Sequence, residues 1–428
     1  MPRLLIVADD LSGAADCAIA CAGSGLSASV AFSDFEHNFD SEVLSIDCDT
    51  RHLDAESAAN HVTQLLLRYA PDEELIFFKK LDSTLRGNIA AELSAMLKVR
   101  RSSGSTSGHV VAVMAPAFPA GGRATVDGHQ LEHGRPLHES EIWKHQRSSS
   151  STHIPSMLAI AGMQPVLIEL ELVRSGDKSL AQVMKTLAAT ADVLVCDAET
   201  DEDLRLIAHA SLALGRKTIW AGSAGLAYHL PHIVGLWNEP ASVEPLALAP
   251  GPTLLVMGSM SSVAREQVEI LRAASTVNML LIAPRVLIAG PQSPEWSEYA
   301  LSLVTMLGDG QDVIVTLEAS SQLDPSEGRL LSSAFGTMMA PIVDSVGALI
   351  ASGGETARAI LDAWGVTSLR MIKEIEPGLP FSFTEGWRRP LPVLTKAGAF
   401  GDSQTLLHGW QFLHDLDRST EMIQFELK

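Results

Sequence analysis

Leu75-Ile76-Phe77-Phe78 runs directly into Lys79-Lys80-Leu81-Asp82-Ser83-Thr84-Leu85-Arg86-Gly87-Asn88. The apolar run reads as a strand buried on both faces, as in a parallel sheet. The ten residues from Lys79 to Asn88 concentrate two ammoniums, a guanidinium, a carboxylate, two hydroxyls and an amide. Ligands of open α/β sheets bind outside the carboxyl ends of the strands, so the stretch predicts an α/β fold and a site there for a small polar, anionic substrate.

Toward the N-terminus the same grammar recurs. Leu4 to Ala8 reads as a strand, followed by Asp9-Asp10-Leu11-Ser12-Gly13 and an Ala-rich helix from about Ala14 to Cys21. Ser12 is the candidate N-cap, and Gly13 permits close backbone approach where the helix begins. Asp9 and Asp10 thus stand at a strand end beside a helix N-terminus, a place for a carboxylate or, with Mg²⁺, a phosphate. That one of them merely caps the helix stays open. Strands are expected at Ser27 to Phe32 and Val43 to Ile46, the second delivering Arg51 to the same edge. Its planar fork suits a bidentate grip on a carboxylate, although an Arg after a strand is often only a salt-bridged surface group. A helix beginning near Asp54 places Ala58, Val62, Leu65 and Leu66 on one face.

Toward the C-terminus, a helix from about Ile89 to Val99 and a Ser/Gly-rich loop from Arg101 to His109 precede a strand at Val110 to Met114. The Gly- and Pro-rich stretch from Ala115 to Leu137 reads equally as a binding wall or a long connection. Glu139 to Met157 is polar and reads as a mobile surface segment or lid. Further strands are expected at Pro165 to Leu170, Val193 to Cys196 and Thr218 to Ala221. Residues 238 to 252 carry four prolines and no periodicity, which marks a domain boundary and a hinge between 1–240 and 252–428.

Beyond the boundary the pattern restarts. Thr253 to Met257 leads to Gly258-Ser259-Met260-Ser261-Ser262, Ala348 to Ala351 to Ser352-Gly353-Gly354-Glu355-Thr356-Ala357, and Pro392 to Thr395 to Lys396-Ala397-Gly398. Three Gly- or Ser-rich turns at strand ends suit a phosphate cradle. None is a Walker A loop or a GxGxxG fingerprint, which counts against a nicotinamide dehydrogenase.

Composition removes other classes. With 428 residues, 46% hydrophobic and a formal charge of −20, the chain has ample core for more than one domain and is ill suited to neutralising nucleic-acid phosphates. The five apolar residues before Asp9 are too few for a leader or a membrane span. The four cysteines show no metal-ligand spacing and no disulfide framework. A cytoplasmic protein with no nucleic-acid or membrane partner is expected, and a homo-oligomer is compatible with the sequence.

Ala8 to Asp16, Lys80 to Asn88, Ala115 to Gly122, Gly222 to Ala227, Gly258-Ser259, Ser352 to Ala357 and Lys396 to Gly401 occur together in this order. In that combination the chain resembles, over nearly its whole length, the four-carbon acid sugar kinase family. The resemblance implies two α/β domains with mainly parallel sheets and a ligand cleft between them, the first binding a sugar acid and the second ATP with Mg²⁺. It further implies transfer of the γ-phosphate to the terminal hydroxyl. On this reading Asp9, Asp10, Arg51, Asp82, Ser83, Thr84 and Arg86 line the acid site. Asp10 or Asp82 orients or deprotonates the attacking hydroxyl, and Lys80 neutralises the phosphoryl group. Ser259, Gly353, Gly354, Glu355, Thr356 and Gly398 lie at ATP, and no permanent metal cage is implied. The stretch Asp10 to Asp16 is closer to the D-threonate branch than to the 3-oxo-tetronate branch, which tends to carry Phe after the paired Asp. D-Erythronate and 3-oxo-tetronate are the alternative acceptors, and a non-catalytic sensor of acid and nucleotide is the alternative of another class.

Overall fold

The computed structural model describes residues 2–32, 39–69, 74–102, 109–140, 143, 152–236, 250–259, 261–318, 327–398 and 400–418. Most of the loop expected at 101–109, of the polar segment 139–157 and of the Pro-rich stretch 238–252 lies outside them. The chain divides into two compact units, Met1–Ala28 with Glu36–Glu239, and Ser29–Phe35 with Pro240–Lys428.

In the first unit, β1 (Leu4–Ala8), β3 (Val43–Asp47), β4 (Ile76–Lys80), β5 (Ala112–Ala115), β9 (Pro165–Ile168), β10 (Val193–Cys196) and β11 (Ile219–Gly222) form a parallel sheet ordered β3-β1-β4-β11-β5-β10-β9. The central β1, β3 and β4 are buried throughout, as continuous apolar runs in a helix-covered sheet should be. The expected face of the helix Ala55–Leu67 is the one buried, through Ala58, Val62, Leu65 and Leu66, and Asp54 caps it at the Ser57 amide. Because β1 lies between β3 and β4, the chain leaves it first to one side and later to the other. That makes the carboxyl end of β1 the point where the strand order reverses, which is where ligands of such sheets settle.

The Gly- and Pro-rich stretch after β5 is neither a structureless wall nor a plain connection. It folds into β6 (Arg123–Val126), β7 (His129–Glu132) and β8 (Arg135–Pro136), a small antiparallel sheet. Asp127 and Gly128, at φ 50° and 71°, make the turn. Asp-Gly with both residues at positive φ matches the twist of a tight hairpin, and that dipeptide was the readable signal.

The second unit orders β13 (Asn278–Ile282), β14 (Val313–Leu317), β12 (Thr253–Met257), β15 (Ala348–Ser352) and β18 (Pro392–Lys396) in parallel, then β17 (Pro380–Thr384) and β16 (Ser368–Glu374) antiparallel. β13, β16 and β17 were not anticipated. Nor was it foreseen that β2 (Ala28–Phe32), from the N-terminal half, would add to β16. The Phe32 amide donates to the Thr367 carbonyl at 3.0 Å, and the guanidinium of Arg358 lies 4.2 Å from the Phe32 ring centroid. The core between this sheet and its helices gathers Leu255, Ile314, Ile350, Phe381 and Leu394 with Val268, Leu271 and Leu406.

Candidate active site

The register fixes what converges in the first unit. Ala8 pairs with Asp47 and Val7 with Lys79, so the segments after β1, β3 and β4 leave the sheet level with one another. Asp9, Asp10 and Arg51 then meet, with Asp82 near enough to feel the Arg51 charge. Nε and Nη2 of Arg51 donate to the two Asp9 oxygens at 2.8 and 2.9 Å, and its Nη1 donates to Asp10 Oδ2 at 2.6 Å. The fork anticipated for a ligand is thus occupied by the paired aspartates.

Asp10 also caps the helix Leu11–Ala22, its Oδ1 accepting the Gly13 amide at 2.9 Å. Ser12 is therefore not the N-cap. The helix starts one residue before it, so its hydroxyl lies inside the first turn. The alternative that one aspartate caps the helix holds for Asp10, which keeps Oδ2 on Arg51 at the same time.

Beyond β4 the chain turns at Leu85 (φ 56°) and Gly87 (φ 85°). Asp82 Oδ2 accepts the Thr84 hydroxyl at 2.7 Å and the Nε of Arg86, which also reaches Thr84 Oγ1 at 3.1 Å. Ser83 is half-buried in the same turn. Burial would push the carboxyl of Asp82 up, but Arg86, Arg51 and Lys80 outweigh it and hold the group well below the ordinary range. Burial opposes ionisation of Asp9 too, and Arg51 likewise overrides it. Desolvation would weaken the Arg51 charge, yet Asp10 and Asp9 keep it firmly protonated. Asp9, Asp82 and Arg51 are therefore held in their charged forms.

Lys79 and Lys80 face opposite sides of the sheet, as neighbours on a strand must. Lys79 is spent on structure: its Nζ lies 2.7 Å from Glu92 Oε2, both side chains 1% exposed, and donates to the Val7 carbonyl. Glu92 also accepts the Thr50 hydroxyl, bracing the residue just before Arg51. Lys80 points to the other side. A Cβ on Gly13 would lie 2.7 Å from its Nζ, so the ammonium rests on the first turn of the helix after Asp10. It is 7% exposed and has no carboxylate partner among the described residues.

Several residues that hold the site escaped sequence reading. Gln130 on β7 donates to the Ser83 carbonyl at 2.9 Å, and the Trp143 indole to that of Thr84 at 2.8 Å. Asn88 ties the carbonyls of Thr50 and Leu53, fixing the Arg51 loop to the turn after β4. No local motif announces these contacts, because each joins segments tens of residues apart.

In the second unit the expected turns also come together. The Gly258 amide donates to the Ser352 carbonyl at 3.0 Å and the Gly353 amide to that of Lys396 at 2.8 Å. A Cβ on Gly258 would fall 1.9 Å from Thr356 Oγ1, and one on Gly398 would fall 2.7 Å from Ser259 Oγ. Only glycine allows this approach. Ser261 caps the helix Ser262–Ala274 at the Ala264 amide, while Gly353 (φ 104°) leads into Gly354–Ala363, where Glu355 lies in a first turn with no side-chain cap. Thr356 is buried, its hydroxyl 3.2 Å from that of Ser332, so it packs the turn from below. Glycine thus lets the three turns pack closely at one sheet edge, the kind of backbone from which phosphate cradles are built. A cavity of about 310 Å³ lies at the opposite edge of this sheet, between Thr253, Asp312 and His414. There the Thr253 amide, the Trp410 indole and the His414 ring all engage Asp312, so the carboxylate is already satisfied.

The fold is that of a two-unit α/β protein, with a charged side-chain cluster at the sheet edge of the first unit and glycine-rich turns at that of the second. Residues 4–230 match a sugar-binding N-terminal domain and residues 254–406 a nucleotide-binding C-terminal domain. The chain is 37% identical to a D-threonate kinase of Cupriavidus necator over 95% of its own length and 97% of the relative's. It is 28% identical to a D-threonate kinase of Salmonella typhimurium, over 97% and 99%. It is 26% identical to a D-erythronate kinase of Heliobacterium modesticaldum, over 94% and 95%. A crystal structure from Salmonella typhimurium LT2 shares the fold, with a TM-score of 0.79 at 20% identity over 96% of this chain and 100% of that one. The chain belongs to the four-carbon acid sugar kinase family. Among the described residues no helix is long and apolar enough to cross a membrane.

Proposed function

We propose that the protein transfers the γ-phosphate of ATP to the C4 hydroxyl of a four-carbon sugar acid, with D-threonate as the acceptor. The observation that carries this reading is Lys80, a buried ammonium that makes no direct ion pair with a carboxylate among the described residues, set beside carboxylates that are already paired with Arg51 and Arg86. A cation so placed favours an anion beside it, and phosphoryl transfer needs charge neutralisation and positioning more than covalent chemistry. Identity of 37% to a D-threonate kinase supports the choice of acid.

On this reading residues 1–240 bind the acid and residues 252–428 the nucleotide. Arg51 acts by fixing Asp9 and Asp10, while Ser83, Thr84 and Arg86 border the acceptor. Asp82, held so far below the usual carboxylate range, is a weak base and orients its neighbours. That leaves Asp10, at the start of the helix and beside Lys80, as the candidate to receive the hydroxyl proton. Ser259, Gly353, Gly354, Glu355 and Gly398 border the phosphates, and Thr356 supports them. The bare backbone at Gly258 and Gly398 fits a polyphosphate. Mg²⁺ bound with ATP would be held mainly by phosphate oxygens, whose charge it would offset.

An ADP-release assay with D-threonate, D-erythronate, L-threonate and 3-oxo-tetronate tests the proposal. D-Threonate should give the highest kcat/KM. Preference for another of these acids would move the assignment within the family, and no ADP with any acid, despite tight binding, would point to a sensor.

A further inference from the structure

The three donor-side turns meet at a buried cation to which the proposed function assigns no role. Lys396 ends β18, is 1% exposed and pairs with no carboxylate among the described residues. Its ammonium donates instead to the backbone carbonyls of Ala397 at 2.9 Å, Gly398 at 3.2 Å and Phe400 at 3.0 Å. An ammonium has three hydrogens, so none remains for a ligand. Burial pushes the group down to about 8. The backbone carbonyl of Lys396 meanwhile accepts the Gly353 amide at 2.8 Å, tying the second turn to the third.

Peptide planarity gives this arrangement a direction. In a trans peptide the N–H points opposite to the C=O. Drawing the carbonyls of Ala397 and Phe400 onto the ammonium therefore sends the amides of Gly398 and Gly401 the other way. Gly398 lies against Ser259, where a Cβ would come within 2.7 Å of the hydroxyl. Outward amides beside a serine hydroxyl make a nest for an anion.

We propose that Lys396 is a positioning residue for the donor phosphates. It orients the amides of Gly398 and Gly401 toward a polyphosphate that it never touches. The proposal rests on reading residues 252–428 as the nucleotide half. Other contacts hold the turn independently: Gln267 Nε2 donates to the carbonyls of Phe400 at 3.2 Å and Asp402 at 2.6 Å, and Ser261 Oγ donates to that of Gly398 at 3.3 Å. Replacing Lys396 should therefore misalign the turn without releasing it.

The test compares the full-length protein with Lys396→Met and Lys396→Arg. ATP and ADP binding are measured by calorimetry, adenosine binding by ligand-observed NMR, and KM for both substrates by ADP release. Lys396→Met should weaken ATP and ADP at least about ten-fold, the scale of one lost hydrogen bond to a charged group. Adenosine affinity and the KM for the acid should stay unchanged, and Lys396→Arg should recover part of the loss. Equal weakening of adenosine and ATP would show a general collapse of the half and overturn the proposal, as would ATP binding at the wild-type level. A wild-type protein that bound no adenine nucleotide would remove the nucleotide reading itself, and the proposal with it.

Discussion

At the carboxyl edge of the first sheet, Asp9, Asp10, Arg51, Asp82 and Arg86 are engaged with one another, whereas at that of the second sheet Gly258, Gly353 and Gly398 leave the backbone bare. The difference reflects the ligand each edge is proposed to recognise. Four-carbon acids differ by the placement of one hydroxyl, so discrimination needs side chains held in one geometry, and ion pairs in a buried cluster supply that. A polyphosphate offers repeated, equivalent oxygens, for which amides suffice. The first edge should thus fail when a functional group changes, and the second when a methyl group is added.

The largest effect that would break this contrast is at Asp10. Asp10→Asn should lower kcat by about 10²–10⁴, the usual contribution of a general base, with a smaller loss for Asp82→Asn in the same steady-state assay. If both variants turned over at nearly the wild-type rate, neither aspartate would be the base.

Next is Gly258→Ala, whose Cβ would fall 1.9 Å from the Thr356 hydroxyl. Overpacking of about 1–3 kcal/mol should appear as a raised KM for ATP and a lowered Tm. The KM for the acid should hold, and adding Thr356→Ala should restore part of both losses. A change confined to the acid side would reverse the assignment of the two edges.

Arg51→Lys sharpens the comparison through stability. A point charge cannot reproduce the fork shared by Asp9 and Asp10, so chemical unfolding should show a loss of about 1–3 kcal/mol. An unchanged unfolding midpoint would mean that the cluster does not depend on planar pairing.

The smallest effect concerns acid. Asp9 and Asp82 have folded-state values below their ordinary ones. Their stabilising contribution is therefore complete above the unfolded value, near pH 4, and is lost as the pH falls below it. The drop in unfolding free energy from about pH 4 toward pH 2 should be shallower in Asp82→Asn than in the wild type. Parallel curves would contradict the shift.

Much of this architecture was legible because it is written locally. Apolar runs ending in polar clusters marked the central strands, and the spacing of Ala58, Val62, Leu65 and Leu66 marked a buried helix face. Local pattern did not reveal partners. Lys79 and Lys80 are chemically identical in the sequence, and only Glu92, on a later helix, decides which is structural. Local pattern could not decide whether Arg51 grips a ligand or a salt-bridge partner, because the two carboxylates that hold it lie some forty residues away. The hairpin at Asp127-Gly128 went unread although its dipeptide carries the signal, and nothing nearby stated that Gln130 would reach back to Ser83. The antiparallel β16 and β17 were missed because their stability comes from neighbours, not from a run of their own.

The strand Ala28–Phe32 carries a last consequence, for anyone recombining such chains. Cutting near residue 240 separates the halves on paper, yet it leaves the C-terminal piece without the strand that adds to β16 and without the ring beneath Arg358. The exposed rim of β16 would then offer unpaired amides and carbonyls to any other chain. A chimera of two family members is better built by moving residues 29–35 together with the C-terminal half, so that inheritance follows the sheet and not the order of the gene.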